Sequence, residues 1–162
     1  MKLVVCSDIH DNIWALERAL DSMRSADALV CCGDLCAPFT LVQLAESVAV
    51  PLHVVWGNND GDKWLLTRQA ARFGHVQLHG ELAEIELDGV RIAANHYPTI
   101  AQGLGRSGRY DLVCYGHDHT PFQERLNGVL LLNPGELMGR FGKSTYAVFD
   151  TDTRTADIRS VP

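Results

Sequence analysis

The sequence predicts a single α/β domain over residues 1–162, built as two β-sheets or one large mixed sheet. Two observations carry that expectation. Up to Gly74, short apolar runs alternate with amphipathic stretches of helical length, a pattern that argues a parallel sheet wound with right-handed crossovers. Beyond Gly74 the texture changes to short strands separated by glycine-containing turns.

The first strand is expected over Lys2 to Ser7, an apolar run that ends abruptly in polar residues. A helix follows over 12–24, because Ile13, Leu16, Leu20 and Met23 fall on one face at three- and four-residue spacing. Asp11 or Asn12 is placed to cap it. Ala28 to Cys32 is a second buried strand, ending at Gly33-Asp34. A helix over 38–48 presents Leu41, Leu44, Ala45 and Val48, with Pro38 suited to its first turn. Leu52 to Trp56 is the third strand and stops at Gly57-Asn58-Asn59-Asp60. A third helix is expected over 61–73, with Gly74 as its stop. Val76–His79, Ala83–Leu87 and Val90–Asn95 are short strands, parted by Gly80 and the Asp88-Gly89 turn. A helical piece over 98–106 is weakened by Gly103 and Gly105. Asp111 to Tyr115 is a further apolar strand, and Phe122–Leu126 with Val129–Leu132 flank the hairpin signal Asn127-Gly128. Thr145–Asp150 and Ala156–Ser160 form a last pair.

Apolar content of 46% and charged content of 21% place the chain among soluble globular proteins. The net charge of −6 argues against strong nucleic-acid binding and against an anionic membrane as partner. No apolar run approaches the roughly 18 residues needed to cross a bilayer. The first residues lack a signal-peptide pattern, since Ser7-Asp8 interrupts too short an apolar run. Five cysteines are an odd number, and Cys6, Cys31, Cys32 and Cys114 lie in apolar runs. They read as small core residues in a reducing compartment, so the expected location is cytoplasmic.

Chemistry collects at the strand ends. Asp8 and His10, Asp34, Asn58, His96, and His117 with His119 each sit just past a predicted strand. Ligands of open α/β sheets bind at the carboxyl ends of strands, where loops converge on a rigid frame. Each residue alone has an ordinary reading. Asp34 could cap a helix, Asn58 could shape a turn, and His96 could be a satisfied loop histidine. Seven oxygen and nitrogen donors recurring in this way instead suit two metal ions that share a bridging carboxylate, held about 3.5–4 Å apart. His53, His75 and His79 are expected in core or surface roles.

Asp8-Ile9-His10, Gly33-Asp34, Gly57-Asn58-x-Asp60, His96 and Gly116-His117-Asp118-His119 resemble the signature of the calcineurin-like metallophosphoesterases. The nearest likeness is to their small, uncapped bacterial and archaeal phosphodiesterases. Asn133-Pro134-Gly135 is similar to a late turn of that family. The resemblance implies a four-layer αββα sandwich of two mixed β-sheets flanked by helices. It implies two divalent metal ions, manganese first, with iron, nickel or zinc as alternatives. Position by position, Asp8, His10 and His119 would hold one ion, Asn58, His96 and His117 the other, and Asp34 would bridge both. Asp34, Asn58 and His96 would thereby be catalytic, with a hydroxide between the cations attacking a small phosphodiester in line.

The sequence departs from the family at two places. Asn59 stands where many relatives carry a histidine that assists the leaving group, and an amide cannot donate that proton. The expected consequence is a preference for diesters with stable leaving groups. His96-Tyr97-Pro98 also stands where relatives often read His-Gly-His. Asn12, Asn59 and Arg140 are candidate substrate contacts. The alternative reading is a protein-interaction scaffold of the same fold, as in one eukaryotic retromer subunit. Retention of all seven donors argues against it. A nuclease would call for a basic groove or stacking aromatics, and no metallo-β-lactamase His-x-His-x-Asp-His block is present.

Overall fold

In the computed structural model, which describes residues 1–161, the elements alternate as the periodicity requires. They run β1 (Lys2–Cys6), α1 (Ile13–Arg24), β2 (Ala28–Cys31), α2 (Pro38–Ser47), β3 (Leu52–Val54), α3 (Lys63–Ala70) and β4 (Val76–Leu78). Then come β5 (Leu82–Leu87), β6 (Val90–Asn95), α4 (Pro98–Arg106), β7 (Leu112–Cys114), β8 (Phe122–Leu126), β9 (Val129–Asn133), β10 (Thr145–Asp150) and β11 (Thr155–Ser160).

Two mixed sheets result. The first has the order β11-β10-β1-β2-β3-β4 and the second β5-β6-β7-β9-β8. In the first, β1 to β4 are parallel and β10 returns antiparallel beside β1. In the second, β6, β7 and β9 are parallel, with β5 and β8 as antiparallel edges. Carboxyl ends of β1, β2 and β3 therefore share one end of the first sheet, and those of β6, β7 and β9 share one end of the second.

Side-chain alternation along the strands divides the core into three. Val4, Cys6, Leu29, Cys31, Leu52 and Val54 face α1, α2 and α3, meeting Leu16, Leu41 and Leu66. Leu3, Val5, Ala28 and Val30 face the other way and meet Ile92, Ala94, Leu112 and Leu132 of the second sheet. Ala93, Val113 and Leu131 on its far side meet Ala101 of α4. The architecture is thus helices, sheet, sheet, helix. Because β1 and β2 are covered on both faces, their sequences are continuous apolar runs instead of alternating ones.

The local signals act as expected, with adjustments at the ends. Asn12 caps α1 by accepting the Ala15 N–H at 3.1 Å. Helix α3 is shorter than expected at both ends: Asp62 takes the cap and accepts the Leu65 N–H at 2.9 Å, and the helix stops at Ala70, before Gly74, where the Arg72 and Phe73 N–H groups turn to the Gln69 and Ala70 carbonyls. Gly105, which weakens α4 on propensity grounds, has a packing reason. A Cβ there would lie 2.8 Å from Leu131 Cδ2, so glycine lets the helix settle onto β9.

Candidate metal centre

All seven donor residues meet where the two sheets' carboxyl ends converge. Asp8, His10, Asp34 and Asn58 come from the first sheet, and His96, His117 and His119 from the second. The loops that carry them turn sharply. Asp8 (φ 55°), His10 (φ 45°), Asp34 (φ 55°), His117 (φ 77°) and His119 (φ 59°) all adopt the left-handed backbone region. That conformation is costly for residues with side chains, and it persists only where surrounding structure holds it.

Two histidine clusters face each other across Asp34. Asp34 Oδ2 lies 3.5 Å from His10 Nε2 and 3.4 Å from His96 Nε2. On one side, Asp8 Oδ1 lies 3.7 Å from His10 Nε2 and 3.4 Å from His119 Nε2, with the two imidazoles stacked. On the other, His96 Nε2 lies 3.1 Å from Asn58 Oδ1 and 3.3 Å from His117 Nδ1. Two groups of potential ligand atoms lie within 4.8 Å of one another: Asp8, His10 and His119, and Asp8, Asp34 and His96.

Backbone and buried side chains aim these donors. His117 N–H donates to Asp8 Oδ2 at 3.0 Å, which leaves Asp8 Oδ1 for the centre. His96 Nδ1 sits 2.7 Å from the Cys32 carbonyl, so Nδ1 carries a hydrogen and Nε2 is the atom turned to Asp34 and the centre. Asn59 donates twice to Asp34, from its backbone N–H to Oδ1 at 2.7 Å and from its side-chain amide to Oδ2 at 2.8 Å. Gly57 allows the close approach of two loops, since a Cβ there would fall 2.1 Å from Asp34 Oδ1.

The electrostatics favour a positive occupant. Burial works against charge on Asp34, yet hydrogen bonds from His96 and Asn59 hold its pKa below the ordinary carboxylate value. The adjacent Asp8 carboxylate raises the His10 pKa against the cost of burial, with Asp34 adding to it. Burial also opposes a charge on His96, and Asp34, the Cys32 carbonyl and Asp8 together more than compensate, leaving its pKa raised. Asp8 Oδ1 and His10 Nε2 are buried with no hydrogen-bond partner among the described residues. Orphaned polar atoms of this kind are expensive unless a further group satisfies them. A donor set of two carboxylates, four imidazoles and one amide oxygen suits divalent transition metals, so the residues fit the metal pair that the resemblance implies.

Beside the donors lies a cleft of about 480 Å³ lined by His10, Asn12, Asn59, His119, Met138, Arg140 and Phe141. Asn12 stands in its wall, but its side chain is already engaged, capping α1 and donating to the Met138 carbonyl at 2.8 Å. Arg140 is exposed, its guanidinium 5.4 Å over the Phe141 ring. Two buried carboxylates escaped the sequence reading as structural parts of the site. Asp60 accepts backbone N–H groups from Asp34, Cys36 and Gly57. Glu136 faces His119 Nδ1 at 3.0 Å. Their signals were present, since Asp60 completes Gly57-Asn58-x-Asp60 and Glu136 directly follows Asn133-Pro134-Gly135. His53 and His79 lie apart from the centre and pair with each other at 2.9 Å.

Comparison with known proteins shows what the whole chain is similar to. A phosphodiesterase of Methanocaldococcus jannaschii is 27% identical over 159 residues, covering 95% of each chain. A solved archaeal phosphodiesterase superposes with a TM-score of 0.91 at 25% identity, covering 99% of each chain. Zinc-complexed Vps29 of Entamoeba histolytica shares the fold, with a TM-score of 0.68 at 17% identity over the full length of both chains. The profile of the calcineurin-like phosphoesterase superfamily domain matches residues 1–154, and the chain belongs to that superfamily.

Proposed function

We propose that this chain is a dinuclear-metal-dependent phosphodiesterase of the cytoplasm, residues 1–162 acting as one catalytic domain on a small phosphodiester. Asp8, His10 and His119 would hold one cation, Asn58, His96 and His117 the other, and Asp34 would serve both. The observation that carries this reading is Asp34 Oδ2, about equally far from His10 Nε2 and His96 Nε2. Manganese is the first choice for the pair, and iron, nickel or zinc would suit the same donors. The M. jannaschii relative, named a phosphodiesterase, supports the reaction class. The Vps29 likeness is one of fold alone. Five free cysteines, four of them buried, support a reducing compartment.

When bound, two divalent cations supply a water of lowered pKa and neutralise charge on a phosphoryl group. The protein's part is to hold the donors before substrate arrives. Its backbone N–H groups and Asn59 fix both carboxylates, so little reorganisation accompanies the reaction. Asn58 offers a neutral oxygen, which leaves the centre more positive than a third carboxylate would and favours an anionic substrate. Asn59, lacking an acidic proton, orients Asp34 and leaves departure of the alcohol to its own stability. That favours diesters with good leaving groups. Arg140, which lines the cleft, would supply a guanidinium to a phosphoryl oxygen. A volume of about 480 Å³ suits a small molecule.

The test is turnover of bis(p-nitrophenyl) phosphate beside p-nitrophenyl phosphate by metal-reconstituted protein, wild type against Asp34→Asn. A loss of about 100-fold or more with the diester is expected, on the scale of removing one preorganised electrostatic group. Unchanged turnover would remove the bridging role, and a wild type active on the monoester alone would overturn the diester assignment.

A further inference from the structure

We infer that Glu136 is a positioning residue whose two carboxylate oxygens hold the candidate ligand His119 and the substrate-facing loop together. The inference rests on the metal-centre reading and adds to it a residue outside the seven donors. Glu136 is 0% exposed, on the turn that leaves β9. A buried carboxylate is stable only with its oxygens satisfied, and three N–H groups converge on this one. Oε2 faces His119 Nδ1 at 3.0 Å, while Oε1 accepts the backbone N–H groups of Phe141 at 2.5 Å and Gly142 at 2.7 Å. The residue is itself pinned, because its carbonyl accepts the Thr145 N–H at 2.9 Å.

Each oxygen has a separate consequence. An ionised carboxylate only accepts hydrogen bonds, so in neutral His119 the hydrogen sits on Nδ1 and Nε2 presents a bare lone pair. That Nε2 lies 3.4 Å from Asp8 Oδ1, an oxygen without a hydrogen-bond partner among the described residues. Two lone-pair atoms directed at one place are the arrangement a cation relieves, and a histidine ligand commonly donates its other ring N–H to a carboxylate. The second oxygen shapes the chain from Met138 to Gly142. Gathering two successive N–H groups fixes the loop that puts Met138, Arg140 and Phe141 in the cleft wall, with the Phe141 ring edge-on to His119 at 5.3 Å. The tautomer of a ligand and the wall of the substrate cleft thus depend on one side chain.

Glutamine cannot do both. It keeps the size of glutamate but has one acceptor oxygen and one donor amide. If its oxygen serves Phe141 and Gly142, its NH₂ meets His119 and drives the hydrogen to Nε2, where it blocks ligation. If its oxygen serves His119, the NH₂ opposes two backbone N–H groups and frees the loop.

Two measurements test this. ¹⁵N-histidine NMR of chelator-stripped wild type at about pH 8 should show His119 hydrogen on Nδ1; hydrogen on Nε2 would overturn the inference, and this arm needs neither turnover nor a variant. Calorimetric titration of Mn²⁺ into stripped Glu136→Gln should show affinity weaker by about 10–100-fold at one site, with the circular dichroism of wild type. Wild-type affinity in a folded Glu136→Gln would overturn it, and if that variant fails to fold the wild-type spectrum decides. A wild type that binds no cation while His119 keeps its hydrogen on Nδ1 would instead count against the metal centre and leave the tautomer assignment standing.

Discussion

The carboxylate of Asp60 accepts the backbone N–H of Asp34 at 3.1 Å, across a separation of 26 residues. The same side chain accepts Gly57 N–H at 2.7 Å and Cys36 N–H at 2.8 Å. It therefore ties the loop after β2 to the loop after β3, the two that carry Asp34 and Asn58. Burial raises its pKa, and the three N–H groups offset only part of that shift.

Replacing Asp60 by alanine strips three N–H groups of their acceptor in a space closed to water. Unmet donors of this kind cost about 1–3 kcal/mol each and do not add fully. Asp60→Ala should lose about 3 kcal/mol in urea unfolding, and diester turnover should fall with the loosened loops. A variant within about 1 kcal/mol of wild type would show that the staple is dispensable.

Asn59 donates to both oxygens of Asp34 and has no acidic proton. Asn59→His would place a titratable donor beside the cleft. General-acid assistance contributes on the order of 10²–10⁴-fold where it operates, so the monoester-to-diester turnover ratio should rise at least about tenfold. The diester rate itself should fall modestly as the side-chain bond to Asp34 Oδ2 is lost. An unaltered ratio in metal-loaded protein would mean that leaving-group protonation does not govern substrate choice.

His53 and His79 share one hydrogen between their rings, and burial lowers both pKa values, that of His53 to about 4. In the unfolded chain both return to about 6.5. Between these values the unfolded state binds more protons, so stability rises with pH. The contribution is complete above about pH 6.5 and is lost as pH falls towards 4. Allowing for partial solvent screening, it amounts to about 1–2 kcal/mol. Urea unfolding at about pH 7.5 and pH 5 should show a smaller pH difference in His53→Leu than in wild type. Equal differences would assign the acid sensitivity to other groups.

The donors were legible because each interrupts an apolar strand at its carboxyl end, and such ends meet in a wound sheet. Asp8 and His119 could thus be expected at one centre although far apart in the sequence, and Asp8 Oδ1 lies 3.4 Å from His119 Nε2. Asp60 and Glu136 stand in or beside the motifs, but their roles were not legible, since these depend on backbone N–H groups and, for Glu136, on the His119 ring, which only the loop conformations bring to them. The His53–His79 pair needed the register of β3 against β4, which sets His53 beside Gln77 and so brings His79 within reach. Gly105 looked like a helix breaker because propensity counts the missing side chain and knows nothing of Leu131 beneath it. The strand order of the second sheet, with β7 between β6 and β9, has no local signal at all.

Strand β10, close to the chain's end, pairs with β1 at its beginning. On a ribosome, β1 to β4 can zip together early, while Asp8, His10 and Asp34 wait for histidines not yet translated. A nascent chain stopped short of Glu136 would have an open sheet edge beside β1 and an unfinished pocket. The pocket is thus assembled from contacts of long sequence separation, whose loop-closure entropy must be met before they stabilise anything.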